Sequence, residues 1–207
     1  MKKITLYYIY DPMCSWCWAF TPALNELKSR LTEKTDVYLL MGGLAADSDV
    51  PMPMAMRQQI EQVWKQIEQR TGAEFNYRFW TDNTPRRSTY PACRAVIAAG
   101  LMPEQQDEAM IEAIQHGYYL DAKNPSDDDT LIALADSLGL NATEFTQALG
   151  DTATAQLFSD QLAFVQQLGI QGFPSLVLYR EGHYHSVSHG YCDAAVLEQR
   201  LKRLGVI

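Results

Sequence analysis

From Ile4 to Tyr10 the chain carries an almost unbroken apolar run rich in β-branched and aromatic side chains. A run of that kind suits a central strand covered on both faces, and a strand is expected over residues 3–10. Helical spacing follows in Ala19, Phe20, Ala23, Leu24, Leu27 and Leu31. It predicts a helix from Cys14 to about Arg30, with Pro22 tolerated as a kink or an early restart. Asp36 to Met41 reads as a second short strand ending at Gly42-Gly43. Strand, helix and strand at this spacing describe a right-handed parallel crossover.

After Pro51-Met52-Pro53 the pattern changes, and the next hundred-odd residues carry helical signals only. Met56, Ile60, Val63, Trp64 and Ile67 follow a spacing of three and four, stopping near Thr71-Gly72. Pro91 falls in the first turn of a helix carrying Ala92, Ala95, Val96 and Ala99, and Ile111, Ile114 and Tyr118 mark another. Ser126 and Asp129 resemble a capping box that opens Leu131, Leu134, Ala135 and Leu138, with Gly139 as the stop. A short helix is expected between Thr143 and Gly150, and a longer one over Phe158, Leu162, Val165 and Leu168. Ser175–Tyr179 and Tyr184–Ser188, joined by Glu181-Gly182, read as a hairpin. The last helix is expected from Asp193, burying Ala194, Leu197, Leu201 and Leu204. The fold class is therefore α/β: residues 1–50 plus 169–207 form one domain, split around an all-helical insertion at 51–168.

Composition narrows the function classes. Of the 207 residues 47% are apolar and 20% charged, as in a soluble globular chain. The net charge of −8 comes without a basic stripe, which argues against nucleic acid as a partner. Lys2-Lys3 and the run behind them imitate a signal peptide, but the run is minimal for one and no small-residue cleavage site follows. No apolar stretch approaches the roughly 18 residues of a membrane span. A cytoplasmic protein is expected, and in a reducing compartment nearby cysteines are catalytic or metal-binding more often than structural.

The candidate chemistry lies in Asp11-Pro12-Met13-Cys14-Ser15-Trp16-Cys17-Trp18. A Cys-x-x-Cys pair between a strand and a helix has the context of a redox motif. At the start of a helix, the Cys14 sulfur faces unpaired backbone N–H groups and the positive end of the helix dipole, which favour thiolate over thiol. Cys14 is the expected nucleophile, and Cys17, nearly one turn on, the resolving thiol. The bland alternative is half of a zinc site, which needs about four ligands. The other clustered candidates, His183, His185 and His189, share one parity of a strand, as an exposed strand face would give. No metal is expected.

These residues resemble the thioredoxin-fold oxidoreductases. Gly172-Phe173-Pro174-Ser175, ahead of Leu176–Tyr179, is similar to the cis-proline loop that faces the cysteines in that fold. The long helical stretch between the two landmarks resembles the DsbA-like branch. Asp11–Trp18, Gly42-Gly43-Leu44 and Pro91–Ala95 are similar to its FrnE-like members. The resemblance implies a thioredoxin fold with a large helical insertion and protein disulfide exchange through the dithiol. It further implies a substrate groove formed by Trp16, Phe173 and a cis Pro174, with Ser15 and Trp16 tuning the potential. No cofactor beyond the dithiol is implied. Partners would be cysteine-containing proteins or peptides, with glutathione or a thioredoxin-type reductant as redox partner. Ser15-Trp16 stands where DsbA has Pro-His, so a less oxidising enzyme is expected. Kappa-class glutathione transferases and 2-hydroxychromene-2-carboxylate isomerase share the split architecture but use a serine where this chain has Cys14. A glutathione-dependent isomerase or transferase, and a non-catalytic chaperone-like peptide-binding module, are the competing readings. Cys93, on a helical face with Val96, Ile97 and Gly100, is expected to be a buried inert thiol. Cys192 precedes the last helix, and the Cys-x4-Cys of some FrnE-like proteins is lacking.

Overall fold

The computed structural model describes residues 4–207; Lys2 and Lys3, and with them the first residue of the expected opening strand, lie outside the described residues. The chain divides into two compact units, one holding the chain up to Gly42 together with Gln161–Ile207, the other Gly43–Asp160.

The first unit is built on a four-stranded sheet of order β2-β1-β3-β4. Strand β1 (Ile4–Tyr10) pairs in parallel with β2 (Thr35–Met41) and antiparallel with β3 (Ser175–Arg180), which pairs with β4 (His183–His189). As a central strand, β1 buries Leu6, Tyr8, Ile9 and Tyr10. On one face Ile9 packs with Leu40, Val165, Ile170 and Val177, and Phe173 lies against that cluster. The turn joining β3 to β4 holds Glu181 and Gly182 at φ of 55° and 86°, the left-handed pair that a tight two-residue hairpin needs. A bulge opposite Leu176 and Val177 makes consecutive β4 residues, Val187 and Ser188, both buried, which simple alternation would not allow.

Helix α1 (Ser15–Arg30) follows β1 and buries Cys17, Ala19, Phe20, Leu24 and Leu27; Pro22 is accommodated without a break in the helix. Between the strands run α2 (Met54–Thr71), the four-residue α3 (Phe79–Asp82), α4 (Tyr90–Leu101), α5 (Asp107–Tyr119), α6 (Asp128–Ser137), α7 (Ala142–Gly150) and α8 (Thr152–Gln167). Helix α9 (Ala194–Arg203) follows β4 and buries Leu197 and Leu201, while Ala194 and Leu204 are only half-buried. The Gly43–Asp160 unit has an aromatic centre: Trp64, 1% exposed, meets the rings of Phe75, Tyr77, Phe79, Trp80, Tyr118 and Tyr119.

Two expectations need correction. The capping box at Ser126 and Asp129 does not form: Asp127 is the N-cap of α6 and makes no side-chain cap. The Ser126 hydroxyl instead donates to the Ser88 carbonyl at 2.6 Å, a partner 38 positions away. In α2 the expected apolar face is only partly used. Trp64 and Ile67 are buried, whereas Met56 is 37% exposed.

Candidate active site

Beyond the end of β1 the chain turns sharply on Asp11. Its carboxylate accepts the Met13 N–H at 2.8 Å and its carbonyl accepts the Cys14 N–H at 3.0 Å. An aspartate whose side chain mimics a backbone turn is a common device for ending a strand, and this one is fully buried. The turn delivers Cys14, in extended conformation, as the N-cap of α1, and the Cys14 carbonyl accepts the Trp18 N–H at 3.0 Å. Cys14 and Cys17 thus occupy the first turn of one helix with unequal access: Cys14 is 7% exposed and Cys17 is fully buried.

The facing wall comes from the loop before β3. The Phe173–Pro174 peptide bond is cis, and the Cys14 thiol donates to the Phe173 carbonyl at 3.7 Å. The Ser175 hydroxyl donates to the Gly172 carbonyl at 2.7 Å and closes that loop. Sequence positions 14 and 173 are therefore brought to one point within a single unit.

Burial pushes the Cys17 thiol well above its ordinary range. A hydrogen bond to Cys14 and the Cys14 charge act in the same direction. A hydrogen bond to the Asp11 backbone works the other way, while the Asp11 charge adds to the rise. The buried Tyr8 hydroxyl is in hydrogen-bonding contact with the Cys17 sulfur, and its ionisation is also pushed well up, first by burial and then by the nearby thiols. The buried surroundings of Cys17 thus disfavour anions.

Trp16 and Ser15 are half-buried at the rim. The Trp16 ring lies 5.2 Å from Tyr191, and Tyr191 meets Phe20 edge-on at 6.1 Å. Asp11, Tyr8 and Tyr191 are site residues that sequence reasoning missed. The Asp-Pro dipeptide directly before the cysteines was a usable turn signal for the first of them. Of the other cysteines, Cys93 is buried in α4, and Cys192 is half-buried with its thiol pushed up by burial against the opposing pull of Arg200. None of the four is joined in a disulfide. His183, His185 and His189 are exposed on β4. Among the described residues no group of three or more His, Cys, Asp or Glu side chains is arranged to hold a metal, and no helix is long and apolar enough to cross a membrane.

A family model described as thioredoxin matches residues 7–192. The chain belongs to the thioredoxin family. Within it the fold is DsbA-like, a mixed four-stranded sheet with a long helical stretch between its second and third strands. Among solved structures the chain is similar to a candidate protein disulfide isomerase from Nitrosomonas europaea, at 29% identity and a TM-score of 0.86, over 98% of this chain and 97% of that one. It is also similar to the cytosolic disulfide reductase DsbM from Pseudomonas aeruginosa, at 27% identity and a TM-score of 0.75, over 96% of this chain and 99% of that one. DsbM has also been solved with glutathione. Among curated proteins it matches the ClpXP adapter protein SpxH of Halalkalibacterium halodurans, 23% identical over 184 residues and 87% of this chain. The chain spans about 60% of the length of that relative.

Proposed function

We propose that the protein is a thiol–disulfide oxidoreductase that reduces disulfides in proteins or peptides through Cys14 and Cys17. The observation that carries the reading is the Cys14 thiol at a helix N-terminus, 3.7 Å from the carbonyl of a cis Phe173–Pro174 bond, with the fully buried Cys17 behind it. The Cys14 thiolate attacks one sulfur of a substrate disulfide. That S–S bond breaks, the leaving substrate sulfur takes a proton, and a mixed disulfide forms on Cys14. Cys17 then loses its proton and attacks the Cys14 sulfur. The second substrate thiol is released and the Cys14–Cys17 disulfide closes, two electrons having passed to the substrate.

The environment of Cys17 supports that order of events. While Cys14 is free, its hydrogen bond and charge help to hold the proton on Cys17. Once Cys14 is tied up in the mixed disulfide both influences vanish, and Cys17 ionises more readily when its attack is needed. Trp16, Phe173 and Pro174 form the peptide-docking edge. Two molecules of glutathione restore the dithiol and leave as glutathione disulfide, so no further cofactor is required. The reducing direction and a cytoplasmic setting are supported by the similarity to DsbM. The Ser15-Trp16 dipeptide, which offers no imidazole to stabilise the Cys14 thiolate, points the same way.

A second reading, a non-catalytic adapter or chaperone-like module, is favoured by one observation, the match to SpxH over most of this chain. Cys14→Ser separates the two. With a disulfide-linked fluorescent peptide and glutathione, the wild type is expected to turn over, C14S to be inactive, and C17S to accumulate a Cys14–peptide mixed disulfide. Undiminished turnover by C14S would overturn the oxidoreductase reading.

A further inference from the structure

We infer that Gly42 is a positioning residue that sets the Phe173 loop against Cys14, and that its missing side chain is what lets that loop take its place. Gly42 follows β2, where its N–H donates to the Tyr10 carbonyl at 2.6 Å and so ties it to the end of β1 from which the Cys14 turn departs. The Phe173 ring lies directly over it. A Cβ added to Gly42 would stand 2.1 Å from Cε1, 2.2 Å from Cζ and 2.7 Å from Cδ1 of that ring. Carbon atoms in contact keep about 3.5–4.0 Å, so no side chain fits while the ring stays.

The ring is half-buried, and swinging it aside would give up its packing against the cluster of Ile9, Leu40, Val165, Ile170 and Val177, while its own residue is followed by the buried Pro174. Displacement of the ring is therefore passed to the Phe173 backbone, whose carbonyl receives the Cys14 thiol at 3.7 Å. Among the glycines, several have nothing near the added atom, such as Gly72, Gly139 and Gly172, so the contact at Gly42 is particular to this place. The consequence for function rests on the oxidoreductase reading. The groove that receives the substrate chain is set by a glycine outside both the cysteine motif and the proline loop.

The test is a double-mutant cycle of G42A and F173A on the reduced protein, read in two ways. The first readout needs no turnover: the rate at which iodoacetamide alkylates Cys14, followed by peptide mass spectrometry. G42A is expected to change that rate at least threefold in the wild-type background and less than 1.5-fold in the F173A background, because without the ring there is nothing to displace. The second is turnover of the fluorescent peptide disulfide, where G42A is expected to raise KM at least fivefold with kcat within twofold. Equal effects of G42A in both backgrounds would overturn the inference, since Gly42 would then act through the β2 end rather than through Phe173. If the alkylation coupling holds but the wild type has no turnover, the positioning stands and the oxidoreductase reading falls. Should G42A not fold alone, recovery of folding in G42A/F173A upholds the contact, and continued failure to fold overturns it.

Discussion

The reduction potential of the Cys14–Cys17 pair is expected to depend on pH in a way that the burial of Cys17 dictates. Reducing the disulfide adds two electrons and as many protons as the two new thiols hold. Cys17 is fully buried and its thiol is pushed well above the ordinary range, first by burial and then by Cys14. Between pH 7 and 9 it therefore takes up a proton on every reduction. One proton per two electrons changes the equilibrium constant about tenfold per pH unit, which for this couple is about 30 mV. The sign is fixed as well: protons are consumed on reduction, so the potential becomes more negative as pH rises. The assay is the redox equilibrium against glutathione at several pH values, with thiol trapping, corrected for the pH dependence of the glutathione couple. A fall of at least about 30 mV per unit across this range is expected. A potential flat from pH 7 to 9 would mean that Cys17 is already a thiolate and would refute the reasoning. Asp11→Asn sharpens the test: it removes a charge that helps hold the proton on Cys17. The pH at which the slope flattens is then expected to move down, and an upward move would contradict the assignment.

Other outcomes follow from the same structure. The raised thiol of Cys17 also bears on stability. In the unfolded chain a cysteine ionises near its ordinary value of about 8.5, while the folded, reduced protein keeps the proton. This stabilising contribution is complete below that pH and is lost as pH rises through the folded value, at no more than about 1.4 kcal/mol per unit. Thermal melts of the reduced protein are expected to lose stability against those of the oxidised protein above about pH 8.5, and parallel curves would contradict this. Tyr191→Ala removes the ring 5.2 Å from Trp16. An aromatic pair contributes about 0.5–1.5 kcal/mol, which limits the expected rise in KM for a peptide disulfide to roughly 12-fold, with kcat little changed; an unchanged KM would show that Tyr191 does not hold Trp16 for docking. Trp64→Ala empties the aromatic centre of the Gly43–Asp160 unit. Summing six ring pairs would overcount atoms they share, so the large-to-small core range of about 3–5 kcal/mol applies. The melting midpoint is expected to fall by roughly 6–20 °C, and a shift under about 3 °C would show that the centre is loosely packed.

Much of the fold was legible because hydrophobic spacing and punctuation agree. Ile4–Tyr10 is a run that only a covered strand explains, and Glu181-Gly182 is a hairpin turn by its chemistry. What escaped was decided by partners distant in sequence. Ser126 looked like a cap, but its hydroxyl is used by Ser88. The short α3 has no periodicity to detect in four residues and is held where Phe79 and Trp80 meet Trp64. The candidate site shows the same division. Cys14 and Cys17 are visible as a motif. The surroundings that raise the Cys17 thiol, burial first and then Cys14, exist only once β1 and α1 are packed. The Gly42–Phe173 contact spans 131 positions and leaves no trace in local pattern.

Intact-protein mass spectrometry after thiol trapping, across a graded series of reduced and oxidised glutathione, reads the Cys14–Cys17 couple itself. The expected result is one reversible intramolecular disulfide between Cys14 and Cys17, closing at a potential nearer the reducing end, about −270 mV, than the DsbA end, about −120 mV. A stable glutathione adduct on Cys14, with Cys17 never closing onto it, would contradict the dithiol mechanism and leave a glutathione-dependent chemistry in its place.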